Sequence, residues 1–545
     1  MPFTRRDLLR SGAAGLLLPV AGACAGRAPA PAEPRDATGR RTFVHGVASG
    51  DPDARSVVLW TRATPAGGAG PVPGPVEVRW ALYADPALKR RLVGGSVTTG
   101  PWRDWTVKVL AEGLEPGRSY YYAFEAAGER SPVGRTRTLP PPGTERVRIA
   151  FTSCSNWCFG FFNAYGAMAA RNDLDLVLHL GDYLYEYGNG TYGDGARLGR
   201  LHAPDAEIVS LADYRTRYAQ YRTDPDLQEL HRQHPVVAVW DDHESANNSW
   251  RDGAENHTAE TEGPWPARKA AAAQAWHEWL PVREGLGARE PRIWRSFALG
   301  GQVDLMMLDT RLYGRDREAD APTNRAVIDD PSRTLLGPAQ EGWLLDELLR
   351  SKEAGTHWRL LGQQVMFGQL GGFGEQPIFN TDQWDGYPHA RARILDHLAG
   401  HGIDDVAVLT GDIHSSWAMD VAPAPFDGGA YDPATGRGAL AVEFVTPSVT
   451  SPFLTDREQA TARAEQALAT HPHLRFVDLF HKGYVVLDAD AERLQADYFH
   501  VETLERRDPA QRLAASFATA RGTNHLVAVA GPAAEGDARE PAPAG

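Results

Sequence analysis

Between Thr42 and Leu139 polar and apolar residues alternate. Val76, Val78, Trp80 and Leu82 are separated by Glu77, Arg79 and Ala81, and Val107 and Val109 flank Lys108. An aromatic run, Ser119 to Phe124, follows the turn Glu115-Pro116-Gly117. A period of two is that of a strand with one buried face, and short strands punctuated by Gly and Pro predict a β-sandwich of immunoglobulin or fibronectin III type over residues 41–139. That segment gathers no cluster of His, Cys and carboxylates, so a scaffold or a lid is expected of it rather than chemistry. Pro140-Pro141-Pro142-Gly143 stiffens the chain and marks a boundary. Beyond it apolar runs alternate with helical segments, which predicts an α/β domain over residues 145–525. Leu211, Tyr214, Tyr218 and Tyr221 share one helical face, as do apolar residues between Ala339 and Arg350. Residues 533–545, rich in Ala, Pro and charge, read as a disordered tail.

Four apolar runs of strand length end in metal-ligating residue types. Val147 to Thr152 leads to Ser153-Cys154-Ser155-Asn156, and Leu174 to Leu180 leads to Gly181-Asp182 and Tyr185. Pro235 to Trp240 leads to Asp241-Asp242-His243-Glu244, with Asn247 and Asn248 behind, and Asp405 to Thr410 leads to Gly411-Asp412-Ile413-His414. Buried parallel strands read as continuous apolar runs, and α/β sheets present ligands beyond their carboxyl ends. A single such end is more often an ordinary loop start. Four in succession point to one centre, because gathered carboxylates repel unless cations neutralise them. Asp182 and Asp242 are hard oxygen donors of the kind that suit calcium, magnesium or manganese. Cys154 and Tyr185 ligate only when deprotonated, which calls for a strongly acidic cation such as ferric iron. Asp182 and Tyr185 are three apart, so one helical turn would bring both to one side. A mixed iron–calcium centre fits these donors better than a zinc pair, which draws on more histidines.

The chain of 545 residues has a formal charge of -14, which argues against a nucleic-acid partner, since phosphate-backbone binding rests on Lys and Arg. Thr4-Arg5-Arg6-Asp7-Leu8-Leu9 and the apolar Gly12 to Ala23 resemble a twin-arginine export signal, with a Pro/Ala-rich spacer reaching residue 40. Ala21-Gly22-Ala23-Cys24 is also an imperfect lipoprotein box, so simple cleavage and a lipid tether at Cys24 stay open. No stretch approaches about 20 unbroken apolar residues. A periplasmic, secreted or surface-tethered monomer is expected. The three cysteines exclude a disulfide framework, although a Cys154–Cys158 bridge is a minor alternative.

The order of motifs resembles that of the calcineurin-like metallophosphatases, with Cys154-x-Asn156, Gly181-Asp182-x-x-Tyr185, Asp241-Asp242-His243-Glu244, Gln363-Gln364 and Gly411-Asp412-Ile413-His414 in succession. The departures from the superfamily pattern are those of the PhoD-like alkaline phosphatases and phosphodiesterases. Phe43 to Pro52 and Val58 to Arg62 resemble that family's N-terminal sandwich. The resemblance implies a two-layered metallophosphatase core flanked by helices. It also implies an extracytoplasmic enzyme that hydrolyses phosphate monoesters, and diesters as an extension, by metal-activated attack of water. By position, Cys154, Asp182, Tyr185 and Asp412 would surround iron, with Asp182 bridging to calcium held in part by Asp242. Asn247 and His414 are weaker carry-overs. His243 is a candidate acid for the leaving group, beside the equal alternative that it orients Asp242. Gln363 and Gln364 are not separable in sequence. A diesterase acting on phospholipids or teichoic-acid-like polymers is the rival reading, and a non-catalytic surface protein with structural metals is the distant one.

Overall fold

The computed structural model describes residues 42–64, 74–284, 292–371 and 380–544. The export signal and Cys24 lie outside these residues. Among the described residues no helix is long and apolar enough to cross a membrane. The strands there form sheets of ten, seven and five strands.

Two large sheets make the catalytic layers. In the ten-stranded sheet Val147–Thr152, Leu176–His179 and Pro235–Ala238 run parallel side by side. In the seven-stranded sheet Val303–Met307, Trp358–Gln363, Val406–Thr410 and Ala441–Val445 run parallel in that order. One apolar core holds Ile149, Val177 and Val237 from the first sheet and Leu305, Leu360 and Leu409 from the second. These strands are buried along their whole length, as their unbroken apolar sequence requires. A second core fills the space between the seven-stranded sheet and the helices Pro338–Glu353 and Pro388–His401, with Leu344, Leu348, Ile394 and Leu398 facing Leu361 and Val408. The predicted tyrosine stripe forms helix Leu211–Tyr221, opened by a capping box between Ser210 and Asp213. Tyr214, Tyr218 and Tyr221 are buried there, and so is Arg217, whose guanidinium donates to the carbonyls of Tyr185, Tyr187 and Pro204.

The N-terminal segment is all-β, and its core of Val57, Leu59, Val78, Leu82, Val107, Tyr122 and Phe124 lies between two layers. One layer is the five-stranded sheet built on Val76–Tyr83 and Ser119–Ala126. The other is not separate from the α/β part. Val47–Gly50 pairs in parallel with Pro235–Ala238 through Ser49 opposite Pro235 and Gly50 opposite Val236, so this layer is the edge of the ten-stranded sheet.

Two expectations are corrected. Residues 533–544 do not float free: Arg539 pairs with Asp175 at 2.6 Å, Tyr121 donates to the Glu540 carbonyl at 2.7 Å, and the Ala542 N–H donates to Gln233 at 3.0 Å. An Ala/Pro-rich strip has no core of its own, but side chains of the folded body satisfy its backbone. No Cys154–Cys158 bridge forms; both are free, buried thiols.

Candidate metal centre

The four strand ends converge. Beyond Val147–Thr152 the Cys154 N–H donates to the Gly181 carbonyl at 3.1 Å, and Ser155 N–H to the Asp182 carbonyl at 2.9 Å, which sews the first two ends together. Gly181 has φ +102°, and a Cβ there would stand 2.4 Å from Asp241 Cβ, so the second and third ends approach only because that residue has no side chain. Cys154 (φ 62°), Asp182 (55°), Asp412 (58°) and His414 (58°) all sit in the left-handed region. Non-glycine residues there cost about 1 kcal/mol or more each and persist where the surroundings over-determine them, often at functional sites.

The donors form three overlapping groups: Cys154, Asp182 and His414; Asp182, Asp242 and His243; and Asp241, Asp242 and Asp412. Within each group one ligand atom per residue lies within 4.8 Å of the others, and every member is buried. Tyr185 joins them, donating to Asp182 Oδ2 at 3.0 Å and lying 3.0 Å from His414 Nε2. It does so from an irregular bend rather than the helical turn its spacing suggested. His414 Nδ1 faces the Pro452 carbonyl at 3.2 Å, which accounts for one ring nitrogen and turns Nε2 inward. His243 Nδ1 donates to Glu186 Oε2 at 2.6 Å, and its ring lies 4.2 Å from that of Tyr185.

The electrostatics fit a cation. Burial pushes the Cys154 thiol well up, with Asp182 adding to it, and burial followed by Asp182 does the same to the Tyr185 phenol. Burial also lifts Asp241 far above the carboxylate range, against the pull of Arg311. Thiol, phenol and carboxylates can all reach their ligating, anionic forms here only if positive charge enters. For His243, burial pulls the ring down, but Glu186, Asp242 and Asp182 together carry it up to about 10. A cation shared by Asp182 and Asp242 would occupy two of those three charges and leave Glu186 as the partner that keeps the ring protonated.

Residues 149–498 match the model of the PhoD-like phosphatase family, and residues 27–140 match the N-terminal domain of PhoD-like phosphatases. This chain belongs to the PhoD-like phosphatases. It is 38% identical over 466 residues to alkaline phosphatase D of Bacillus subtilis (strain 168), covering 84% of this chain and 77% of that protein. A solved structure of PhoD superposes with a TM-score of 0.81 at 36% identity, covering 91% of this chain and 94% of the other. The chain is therefore a phosphoric ester hydrolase with the two-layered α/β core and all-β N-terminal part of its family. The reading as a non-catalytic surface protein falls.

Several residues that organise this PhoD-like site escaped the sequence reading. The buried Arg311 lies in the middle: Nε reaches Asp241 Oδ1 at 2.5 Å, Nη1 and Nη2 clamp Asp382 at 2.7 and 3.0 Å, and Nη2 also reaches Asp412 at 3.0 Å and Asp242 at 3.6 Å. A fifth apolar strand, Val303–Met307, ends just before Asp309-Thr310-Arg311, and that repetition of the strand-end pattern was the available signal. Glu244, already part of the third strand-end motif, accepts from the N–H groups of Asp182, Tyr183 and Asp241 at 2.7 to 3.0 Å, tying two strand ends together. Gln383 donates to Asp412 Oδ2 at 2.7 Å.

The amide side chains near the centre have these partners. The Asn247 side chain points to Glu255 at 3.3 Å, and Asn248 shares Glu255 while bonding Glu318. Gln364 is spent on the Trp240 and Leu308 carbonyls and on Thr310, and Gln363 on Thr410 and Trp384. Both carboxamides act as braces between strand ends.

Proposed function

We propose that this PhoD-like phosphatase is an extracytoplasmic enzyme that hydrolyses phosphate monoesters, and diesters as an extension, at an iron–calcium centre. The convergence of Cys154, Asp182, Asp242 and Asp412 from four separate strand ends carries this reading. Cys154, Asp182, Tyr185 and Asp412 would hold iron, and Asp182 with Asp242 would hold calcium. His414 flanks the first through Nε2, and Asn247 belongs to the adjoining acid–amide cluster with Glu255. When bound, such cations supply the Lewis acidity that polarises a phosphoryl oxygen, acidifies water and offsets charge on a departing ester oxygen. Sulfur and phenolate donors support iron over an all-oxygen cation set.

The chain's own groups do the rest. Arg311 spreads one positive charge over Asp241, Asp242, Asp382 and Asp412 and holds them in register. His243 donates a hydrogen bond from Nδ1–H to Glu186, and a proton held at Nε2 would be available to a leaving-group oxygen. The paired arginines near the N-terminus support export through the twin-arginine route, to the periplasm, the medium or a lipid tether at Cys24.

Elemental analysis of the exported protein, with its visible spectrum, tests the centre. Iron and calcium together with a phenolate-to-iron charge-transfer band are expected, and an iron-free protein with full activity overturns the assignment. Asp182→Asn should lose metal and activity while its circular dichroism is kept. Parallel turnover of nitrophenyl phosphate and bis-nitrophenyl phosphate decides between monoesterase and diesterase.

A further inference from the structure

A second set of metal-type donors closes where the two large sheets meet. Leu474–Asp478 is the edge strand of the seven-stranded sheet, and Arg493–Val501 lies inside the ten-stranded one. Asp478 ends the first strand, His500 sits in the second, and His481 lies on the loop that leaves Asp478. One ligand atom from each lies within 4.8 Å of the other two.

The local hydrogen bonds aim these atoms inward. Asp478 Oδ1 accepts from the N–H groups of Phe480 at 3.0 Å and His481 at 2.8 Å, which fixes the carboxylate and leaves Oδ2 facing the two rings. Oδ2 lies 2.8 Å from His481 Nδ1 and 3.9 Å from His500 Nδ1. His500 is wholly buried; its Nε2 rests 3.3 Å from Ser416 Oγ, while Nδ1 has no hydrogen-bond partner. Burial holds the His500 ring down to about 3, so it is uncharged. Its Nδ1 thus stands buried and unpartnered 3.9 Å from a carboxylate oxygen. Without an ion Asp478 Oδ2 accepts from His481 Nδ1 while the buried His500 Nδ1 has no partner, whereas a cation among the three would engage the carboxylate and both rings.

We propose that Asp478, His481 and His500 form a divalent-cation site of zinc type, distinct from the Cys154–Asp182 centre. Two imidazoles and one carboxylate are too rich in nitrogen for calcium and match the three-ligand zinc set that leaves a position for water. Asp478 and His481 are 20% and 21% exposed, so that position faces solvent. The ion clasps an edge strand of one sheet to an inner strand of the other. It does so behind the centre, where the neighbouring Lys482 donates to the His414 carbonyl at 3.1 Å.

Arg457 is a built-in competitor. Its Nη2 lies 3.1 Å from His481 Nε2, and because arginine can only donate, that contact puts the ring proton on Nδ1, the atom the ion needs. Zinc binding moves the proton to Nε2 and displaces this exposed arginine.

The test adds zinc to the purified full-length protein, removes the excess by gel filtration, and measures zinc, iron and calcium together. Wild type should keep about one more equivalent of zinc than Asp478→Asn or His481→Gln, with iron and calcium equal in all three. Both variants alter partly exposed side chains and should keep the wild-type melting profile in the absence of zinc. Arg457→Ala should bind zinc several-fold tighter against a chromophoric chelator. Equal zinc in wild type and Asp478→Asn, or an Arg457→Ala affinity no higher than wild type, overturns the site. Zinc that lodges in the catalytic centre adds equally to every variant, so the difference is independent of which cations work there.

Discussion

The Arg311 guanidinium reaches Asp241, Asp242, Asp382 and Asp412, and every partner is buried with it. Taking one partner out of such a network strands the others, because a buried charge without compensation typically costs about 3–5 kcal/mol. Arg311→Ala should therefore lower the stability of the folded enzyme by about that amount in a denaturant melt, and lower turnover further through misplaced Asp412. Lysine offers a point charge instead of a planar fork, so Arg311→Lys should recover part of the stability and little of the turnover. A melt of Arg311→Ala that coincides with wild type would show that the carboxylates do not depend on it. Arg311 also explains why ligand-type residues alone are a poor map of this site: arginine is not a ligand, and its partners lie 69 to 101 positions away, farther than any local motif reaches.

At the scale of elements, strand ends do the positioning and a buried acid on one strand couples the fold to pH. Glu443, on strand Ala441–Val445, accepts from Thr410 Oγ1 at 2.6 Å and from the Phe367 and Gly368 N–H groups at 2.9 and 2.5 Å. Burial nonetheless lifts it to about 7, with those donors pulling the other way. The folded protein therefore keeps this proton through a range where the unfolded chain, near the ordinary carboxylate value, has lost it. Its contribution to stability is fully present below the unfolded value and is lost as pH rises toward about 7. The stability of wild type relative to Glu443→Gln should fall by up to about 3 kcal/mol between pH 4.5 and 7, read from urea melts at a series of pH values. A pH-independent difference contradicts the assignment.

For the whole molecule, the shared ten-stranded sheet matters most. Because Val47–Gly50 pairs with Pro235–Ala238, and Trp60 donates through its indole N–H to the Glu278 carbonyl at 2.8 Å, the N-terminal layer and the α/β part share backbone pairing and core. Two domains joined by a stiff linker would melt separately, whereas this arrangement should give one calorimetric transition. A fragment beginning at residue 145 would expose the edge of strand Pro235–Ala238 and should aggregate when expressed alone. A soluble, active fragment of that kind, or two resolved transitions, would show that the shared edge contributes little.

By itself the sequence determined the strand and helix periodicities, the all-β to α/β change near residue 140, and the succession of ligand-bearing strand ends. These are legible because a side chain's exposure repeats with the local backbone period, and because each motif spans only a few residues. Only the tertiary structure decided that the four ends meet, that Arg311 lies among their carboxylates, that Gln363 and Gln364 serve as braces, and that the C-terminal strip is held by Tyr121, Asp175 and Gln233. Each of those outcomes depends on a partner distant along the chain, and distance along the chain carries no record of distance in space.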